Sequence, residues 1–224
     1  MIGVKEKIDK FLLDEAKKKR EERDTPLNVF YPSSAGQCIR KLWHEKKVPP
    51  EFPPETYKHF LIGNLVHDWL QSKIFPDAQS EVRIKWEDGD IAFSGRVDTQ
   101  LPDRLIEFKT ITSLAYVKNK PKPEHVAQLN MYMHTTGVHQ GTIVYVTKNE
   151  AEVLEHDVEY DPKLYKHTVK DFKKVYKALL DDKEPKPSTC KTPWACKYCK
   201  EDMARKRIII KAVQAKRKRL KGKA

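Results

Sequence analysis

The hydrophobic period of this chain changes once from helical to alternating, and that change sets its fold class. Up to about Phe75 the apolar residues recur at helical spacing, whereas from Glu81 to Thr110 they alternate. Residues 81–86, 91–99 and 104–110 therefore read as strands, joined by turns at Asp88-Gly89 and Pro102-Asp103. Pro123 opens a helix that Gly137 ends. Two more strands follow at 142–147 and 152–159, then a helix from Pro162 to Leu180. This order of helix, three antiparallel strands, helix and strand predicts a mixed α/β core. At 224 residues the chain has room for one such domain with short appendages.

Three helices are predicted ahead of the sheet, at 4–22, 35–46 and 55–75. In the first, Ile8, Phe11, Leu12 and Ala16 make an apolar stripe, and 7 basic residues nearly cancel 6 acidic ones. That balance fits a solvated helix better than a DNA-binding arm. Ser33-Ser34 offers an N-cap for the second, which carries Cys38 near its start. Pro49, Pro50, Pro53 and Pro54 make a stiff link to the third, which contains Gly63 and His67. Beyond the last predicted helix, a link with Pro185 and Pro187 leads to three cysteines and a basic tail.

The formal charge of +12 makes polyanions the first partners to consider. Residues 204–224 hold ten Lys or Arg and no acid, so about +2 remains for the rest of the chain. Such a tail would neutralise phosphates and give affinity a steep salt dependence. The start is charged throughout, with no apolar stretch of a secretory signal, and the longest aliphatic run near the end is Ile208–Ile210. A cytoplasmic, non-membrane protein is expected. Its four cysteines then point to metal rather than disulfides.

The most informative stretch is Ser94-Gly95-Arg96-Val97-Asp98, followed by Leu105-Ile106-Glu107-Phe108-Lys109. In a strand Glu107 and Lys109 share one face while Ile106 and Phe108 take the other, toward the core. A turn at Pro102-Asp103 pairs Leu101 with Arg104 and sets Asp98 opposite Glu107. Directly opposed carboxylates repel unless a cation sits between them. A hard divalent ion, Mg²⁺ or Mn²⁺, suits such oxygen ligands. Lys109 beside it would polarise a water or neutralise developing charge. The alternative is a surface hairpin whose charges are merely solvated. Two other features bear on the choice. His67 lies one turn beyond Gly63, and Gln128 and Tyr132 are i,i+4 neighbours on one helix face, with His125 extending that polar stripe.

Gly63-x-x-x-His67, Gly95-x-x-Asp98, Glu107-x-Lys109 and Gln128-x-x-x-Tyr132 stand in the order used by RecB-like nucleases of the PD-(D/E)xK superfamily, which this chain resembles. The resemblance implies a restriction-endonuclease-like core, a mixed central sheet flanked by helices. It implies that His67, Asp98 and Glu107 ligate the metal with help from the Phe108 carbonyl. Lys109 would position the attacking water, and Gln128 and Tyr132 would orient DNA or Lys109. Glu81 is a further acidic candidate.

Cys190-x5-Cys196-x2-Cys199 is a compact thiolate group, and Cys38 is the only other cysteine. A site uniting them would close a loop of about 150 residues. Four thiolates accept zinc or an iron–sulfur cluster. Cys38 followed by Ile39-Arg40-Lys41-Leu42-Trp43, with three cysteines after the nuclease motifs, resembles the iron–sulfur RecB-like exonucleases, among them the CRISPR-associated exonucleases of adaptation. That resemblance implies a [4Fe–4S] cluster, with [2Fe–2S] or zinc as alternatives. Trp43, Trp194 and Tyr198 would pack around it or stack on unpaired bases.

The expected organisation is an N-terminal helix (1–30), a RecB-like nuclease core (31–189), a cysteine region (190–203) and a basic DNA-binding tail (204–224). The expected function is metal-dependent exonuclease hydrolysis of single-stranded DNA or DNA ends, in CRISPR adaptation with antiviral defence, or in recombination and repair. Its partners there would be a CRISPR integrase or a recombination helicase. The alternatives are a catalytically inactive iron–sulfur DNA-binding module, or a viral recombination or repair nuclease unrelated to CRISPR.

Overall fold

A computed structural model describes residues 3–21, 25–186, 190 and 196–200. The chain divides into two compact units, residues 1–36 with 49–173, and residues 37–48 with 174–224. The basic tail expected at 204–224, and Trp194, lie outside the described residues.

The first unit is built on a six-stranded sheet. Its strands are β1 (Val29–Phe30), β2 (Gln79–Asp88), β3 (Ile91–Gln100), β4 (Leu105–Ile111), β5 (Gln140–Thr147) and β6 (Val153–Glu159). Their order is β1-β3-β4-β5-β6, with β2 on the other edge of β3. β2 pairs with β3 along its whole length, from Gln79↔Gln100 to Asp88↔Ile91. The opposite edge of β3 is shared: β1 pairs with Ala92 and Phe93, and β4 pairs with Thr99 and Gln100. The edge of β3 between those two contacts is left to side chains.

β4 and β5 are parallel, with seven register pairs from Leu105↔Gly141 to Ile111↔Thr147. Parallel neighbours need a crossover, and helix α4 (Pro123–Thr136) supplies it. Proline stands at its first turn, where no N–H is required, and Gly137 caps it in the left-handed region at φ 73°. Each expected strand and both expected helix signals are present. β1, two residues long, is too short to leave a periodic trace in the sequence.

The sheet is covered on both faces. Val97, Leu105, Ile143 and Tyr145 pack with Leu129 and Met133 of α4. Ile106, Phe108, Val144 and Val146 pack with Val66, Leu70 and Phe75, from helix α3 (Pro54–Trp69) and the turns that follow it. The third predicted helix, 55–75, is thus corrected in its last turn: the α-helix stops at Trp69 and Leu70–Ile74 is π-helical. Helix α1 (Val4–Glu21) has no fully buried residue and is tied to α3 by the Lys58–Asp9 ion pair. The part of α5 (Pro162–Leu180) inside this unit sets Phe172 against Phe30 and Phe93, with ring centroids 5.0 and 5.4 Å away.

In the second unit, helix α2 spans Ile39–Lys47, not 35–46. Ser33-Ser34 does not cap it. Those residues form a 3-10 turn, Pro32–Ser34, and Cys38 occupies the N-cap position. A proline at the front of this stretch closes the tighter turn first, and α2 starts only after a further bend. Trp43 is buried and donates its Nε1–H to the Ala178 carbonyl at 3.1 Å.

Candidate active site

β3 and β4 part just where the sequence places its acids. The ladder runs Gln100↔Leu105 and Thr99↔Ile106 and then ends. The next positions in that register are Asp98 and Glu107, as the Leu101–Arg104 closure predicts; the Leu101 N–H does donate to the Arg104 carbonyl, at 2.9 Å. Asp98 turns its side chain into the opening, and its Oδ2 accepts the Phe108 N–H at 2.8 Å. The carboxylate thus replaces a strand partner for β4.

Glu107 is 1% exposed. The solvated surface hairpin is therefore not what forms: Leu105, Ile106, Glu107 and Phe108 are all buried, because helices cover both faces of β4. Glu107 Oε1 accepts from Lys109 Nζ at 2.5 Å and from Gln128 Nε2 at 2.6 Å. Gln128 Oε1 in turn accepts from Lys109 Nζ at 3.0 Å, which closes a three-membered ring of charge-assisted bonds. The other oxygen, Glu107 Oε2, is buried with no hydrogen-bond partner among the described residues.

α3 brings His67 to this opening, its Nδ1 3.6 Å from Asp98 Oδ2. Gly63 explains the spacing of that motif. A Cβ there would meet Thr110 Oγ1 at 3.2 Å, so glycine lets the helix approach β4. Gly95 has a similar role with less room to spare. A Cβ on it would stand 2.8 Å from Tyr132 Cε1 and 3.0 Å from its oxygen, so the tyrosine of α4 fills the open edge of β3.

Electrostatics follow from burial. Burial raises the Asp98 pKa, against the pull of Lys109 and the Phe108 N–H. Burial and then the Asp98 charge raise that of Glu107, with Lys109 opposing. Burial alone would lower Lys109, but the two carboxylates win and hold it above its ordinary value, so it stays an ammonium. His67 is lowered by burial and by Lys109, which favours a neutral imidazole. Burial raises Tyr132, so its hydroxyl keeps its proton.

Sequence reasoning missed Gln71. Buried in the π-helical turn, it donates from Nε2 to the Asp98 carbonyl at 2.8 Å and to Glu81 Oε1 at 3.2 Å. Its i+4 spacing from His67 marks a shared helix face, but the reach to Asp98 depends on the π-helical turn, which spacing does not signal. Glu81 comes to the same place, at φ 55° within β2, and pairs with Arg96 at 2.5 Å. His125 lies beside Lys109's register partner Tyr145, with Nδ1 2.8 Å from the phenol oxygen. Burial, then Lys109 and Lys122, depress its pKa to about 3.

The second unit holds the cysteines. The sulfurs of Cys38, Cys190, Cys196 and Cys199 all lie within 4.8 Å of one another, the one such set of Cys, His and acidic ligands among the described residues. Cys38 Sγ and Cys199 Sγ are 3.7 Å apart, far beyond a disulfide bond of about 2.05 Å. Burial raises the Cys199 thiol, whereas at Cys196 the Tyr198 N–H and neighbouring thiols outweigh burial and lower it. Tyr198 stacks on His44 with centroids 4.6 Å apart, and His44 Nε2 meets Glu184 at 2.5 Å. Trp43 and Tyr198 are thus packing residues of this unit.

Comparison with solved structures places the fold. The chain is similar to SSO0001 (TM-score 0.61, 21% identity, over 85% of this chain and 91% of that one). It is also similar to LHK-Exo, an alkaline exonuclease of Laribacter hongkongensis, in complex with dAMP (TM-score 0.53, 16% identity, over 70% and 90%). No protein-family model and no curated protein matches the chain. The architecture is an α/β fold with a mixed central sheet flanked by helices, matching an exonuclease fold, and with four cysteines brought together. No described helix is long and apolar enough to cross a membrane.

Proposed function

We propose that this chain is a divalent-metal-dependent deoxyribonuclease of the RecB-like PD-(D/E)xK type, acting as an exonuclease on single strands or DNA ends. One observation carries the reading: a fully buried carboxylate, Glu107, keeps one oxygen without a donor among the described residues, near a second buried carboxylate, Asp98, and His67. Burying charge without a partner is costly, and a cation removes that cost. The donor set suits Mg²⁺ or Mn²⁺, which Asp98, Glu107 and His67 with the Phe108 carbonyl would hold; Glu81, linked to Asp98 through Gln71, is a further candidate. When bound, such an ion supplies Lewis-acid activation of water and neutralises charge on the phosphate.

The protein's own groups do the rest. Lys109 is fixed between Glu107 and Gln128, so its ammonium is ready to hold a water or meet negative charge at the phosphate. Because it keeps its proton, it acts as a cation and not as a general base. Gln128 locks both partners, and Tyr132 offers a neutral hydroxyl at the edge of β3. The likeness to LHK-Exo, itself in complex with dAMP, supports DNA as the substrate. Shortening of end-labelled DNA with Mn²⁺ tests the reading.

The four thiolates form a scaffold site in this proposal. The sequence resemblance favours a [4Fe–4S] cluster there, and with it a place in CRISPR adaptation or in recombination and repair. A second reading has an observation of its own. One tetrahedral zinc with bonds of about 2.3 Å separates its sulfurs by about 3.8 Å, close to the Cys38–Cys199 spacing of 3.7 Å. Visible absorption together with metal analysis separates the two.

A further inference from the structure

The segment that leaves β4 after Lys109 has no role in the chemistry above. Residues 112–123 carry three lysines (Lys118, Lys120 and Lys122) and no carboxylate. This is ordered chain. Ser113 Oγ accepts the Ala115 N–H at 3.3 Å and starts a 3-10 turn, Leu114–Tyr116. The next residue, Val117, is 1% exposed and joins the core around Leu129 and Tyr145. Its carbonyl is bonded by His156 Nε2 at 2.7 Å.

Between those anchors the turn holds Tyr116 79% exposed. Its ring and hydroxyl have no partner among the described residues, and Lys118 and Lys120 stand exposed beside it without a carboxylate. A buried valine and a held carbonyl thus present an aromatic face to water among cations that nothing neutralises. The complementary ligand has a π-face and negative charge. Bases in a duplex are already stacked, so an unpaired nucleotide fits best.

We propose that Tyr116, Lys118 and Lys120 grip the unpaired end of the strand being cut, Tyr116 stacking on a base and the lysines meeting its phosphates. This rests on the nuclease reading and assigns it a single-strand grip on the segment that follows β4. The test uses the full chain and a single-stranded oligonucleotide containing 2-aminopurine, in EDTA so that nothing is cleaved. Wild type should bind and quench the probe. Tyr116→Ala should weaken binding about tenfold and lose the quenching, with duplex affinity unchanged, while Tyr116→Phe keeps both. Replacing Lys118 and Lys120 together by Ala should flatten the slope of log K against log salt by about 1.4, at about 0.7 per phosphate contact. Wild-type affinity and quenching in Tyr116→Ala would overturn the grip. If wild type cuts DNA with Mn²⁺ while Tyr116→Ala binds normally, the grip alone fails; if wild type neither binds nor cuts single strands, the nuclease reading fails with it.

Discussion

The Phe108 amide donates to Asp98 Oδ2 at 2.8 Å, one register step past the last β3–β4 ladder pair. A side chain therefore continues a sheet that the backbone has stopped building. The result is an opening lined by two buried acids, with Lys109, Gln128 and His67 at its edges. The bond also gives Asp98 a structural load, so its removal affects more than chemistry.

Conservative replacements separate those roles. Asp98→Asn, Glu107→Gln and Lys109→Ala should each lower cleavage at least about a hundredfold while single-strand binding changes little. Asp98→Ala should also lower stability by about 1–3 kcal/mol, because the buried Phe108 N–H loses its acceptor. Denaturant titrations beside end-labelled assays measure both. Near-wild-type rates in all three variants would contradict the assignment.

Gly95→Ala should be costly through packing alone. Its Cβ would lie 2.8 Å from Tyr132 Cε1, so overpacking of about 1–3 kcal/mol is expected. Truncating Tyr132 to Ala in the same chain should relieve most of that cost. A double-mutant cycle with no coupling between the positions would show that Gly95 does not make room for Tyr132.

The buried acids make metal-free stability depend on pH. Both carboxyls are raised by burial, so below about pH 4 they are protonated folded or unfolded and cost nothing. Above that the unfolded chain releases protons that the folded one retains. Stability should then fall as pH rises toward the raised values, by on the order of 1 kcal/mol per unit and group. Measured in EDTA against Asp98→Asn/Glu107→Gln, wild type should lose stability more steeply between pH 4 and 7. Parallel curves would mean that the two acids are not desolvated.

The cysteine site makes a separable prediction. Cys199→Ser should remove the bound metal, lower the melting temperature and reduce nuclease activity only as the protein unfolds. Protein purified without air should be brown if the site holds iron and sulfide. A colourless protein with one zinc per chain would select the single-ion reading. Wild-type stability with no metal would discard both.

Much of this was legible in the sequence because local rules agree with the fold. The turn after Leu101 fixes the register of Asp98 against Glu107, and Pro123 and Gly137 bound α4 by helix chemistry alone. What was not legible depends on contacts far apart in the chain. Gly95 is marked as a glycine, but only the folded chain reveals that Tyr132 fills its place. Gln71 reaches Asp98 because the helix loosens to π geometry after Trp69, which no periodicity signals. Cys38 replaces Ser33-Ser34 at the start of α2 because Pro32 closes a turn of its own first. Glu107's burial needed knowledge that both faces of β4 are covered.

The most direct test is a cleavage assay on single-stranded DNA labelled at its 5′ or 3′ end, with Mn²⁺ or EDTA, using wild type and Glu107→Gln. The account predicts progressive shortening from one end by wild type in Mn²⁺, and intact strands in EDTA or with the variant. Intact strands with wild type and Mn²⁺, or equal cleavage by Glu107→Gln, would contradict it.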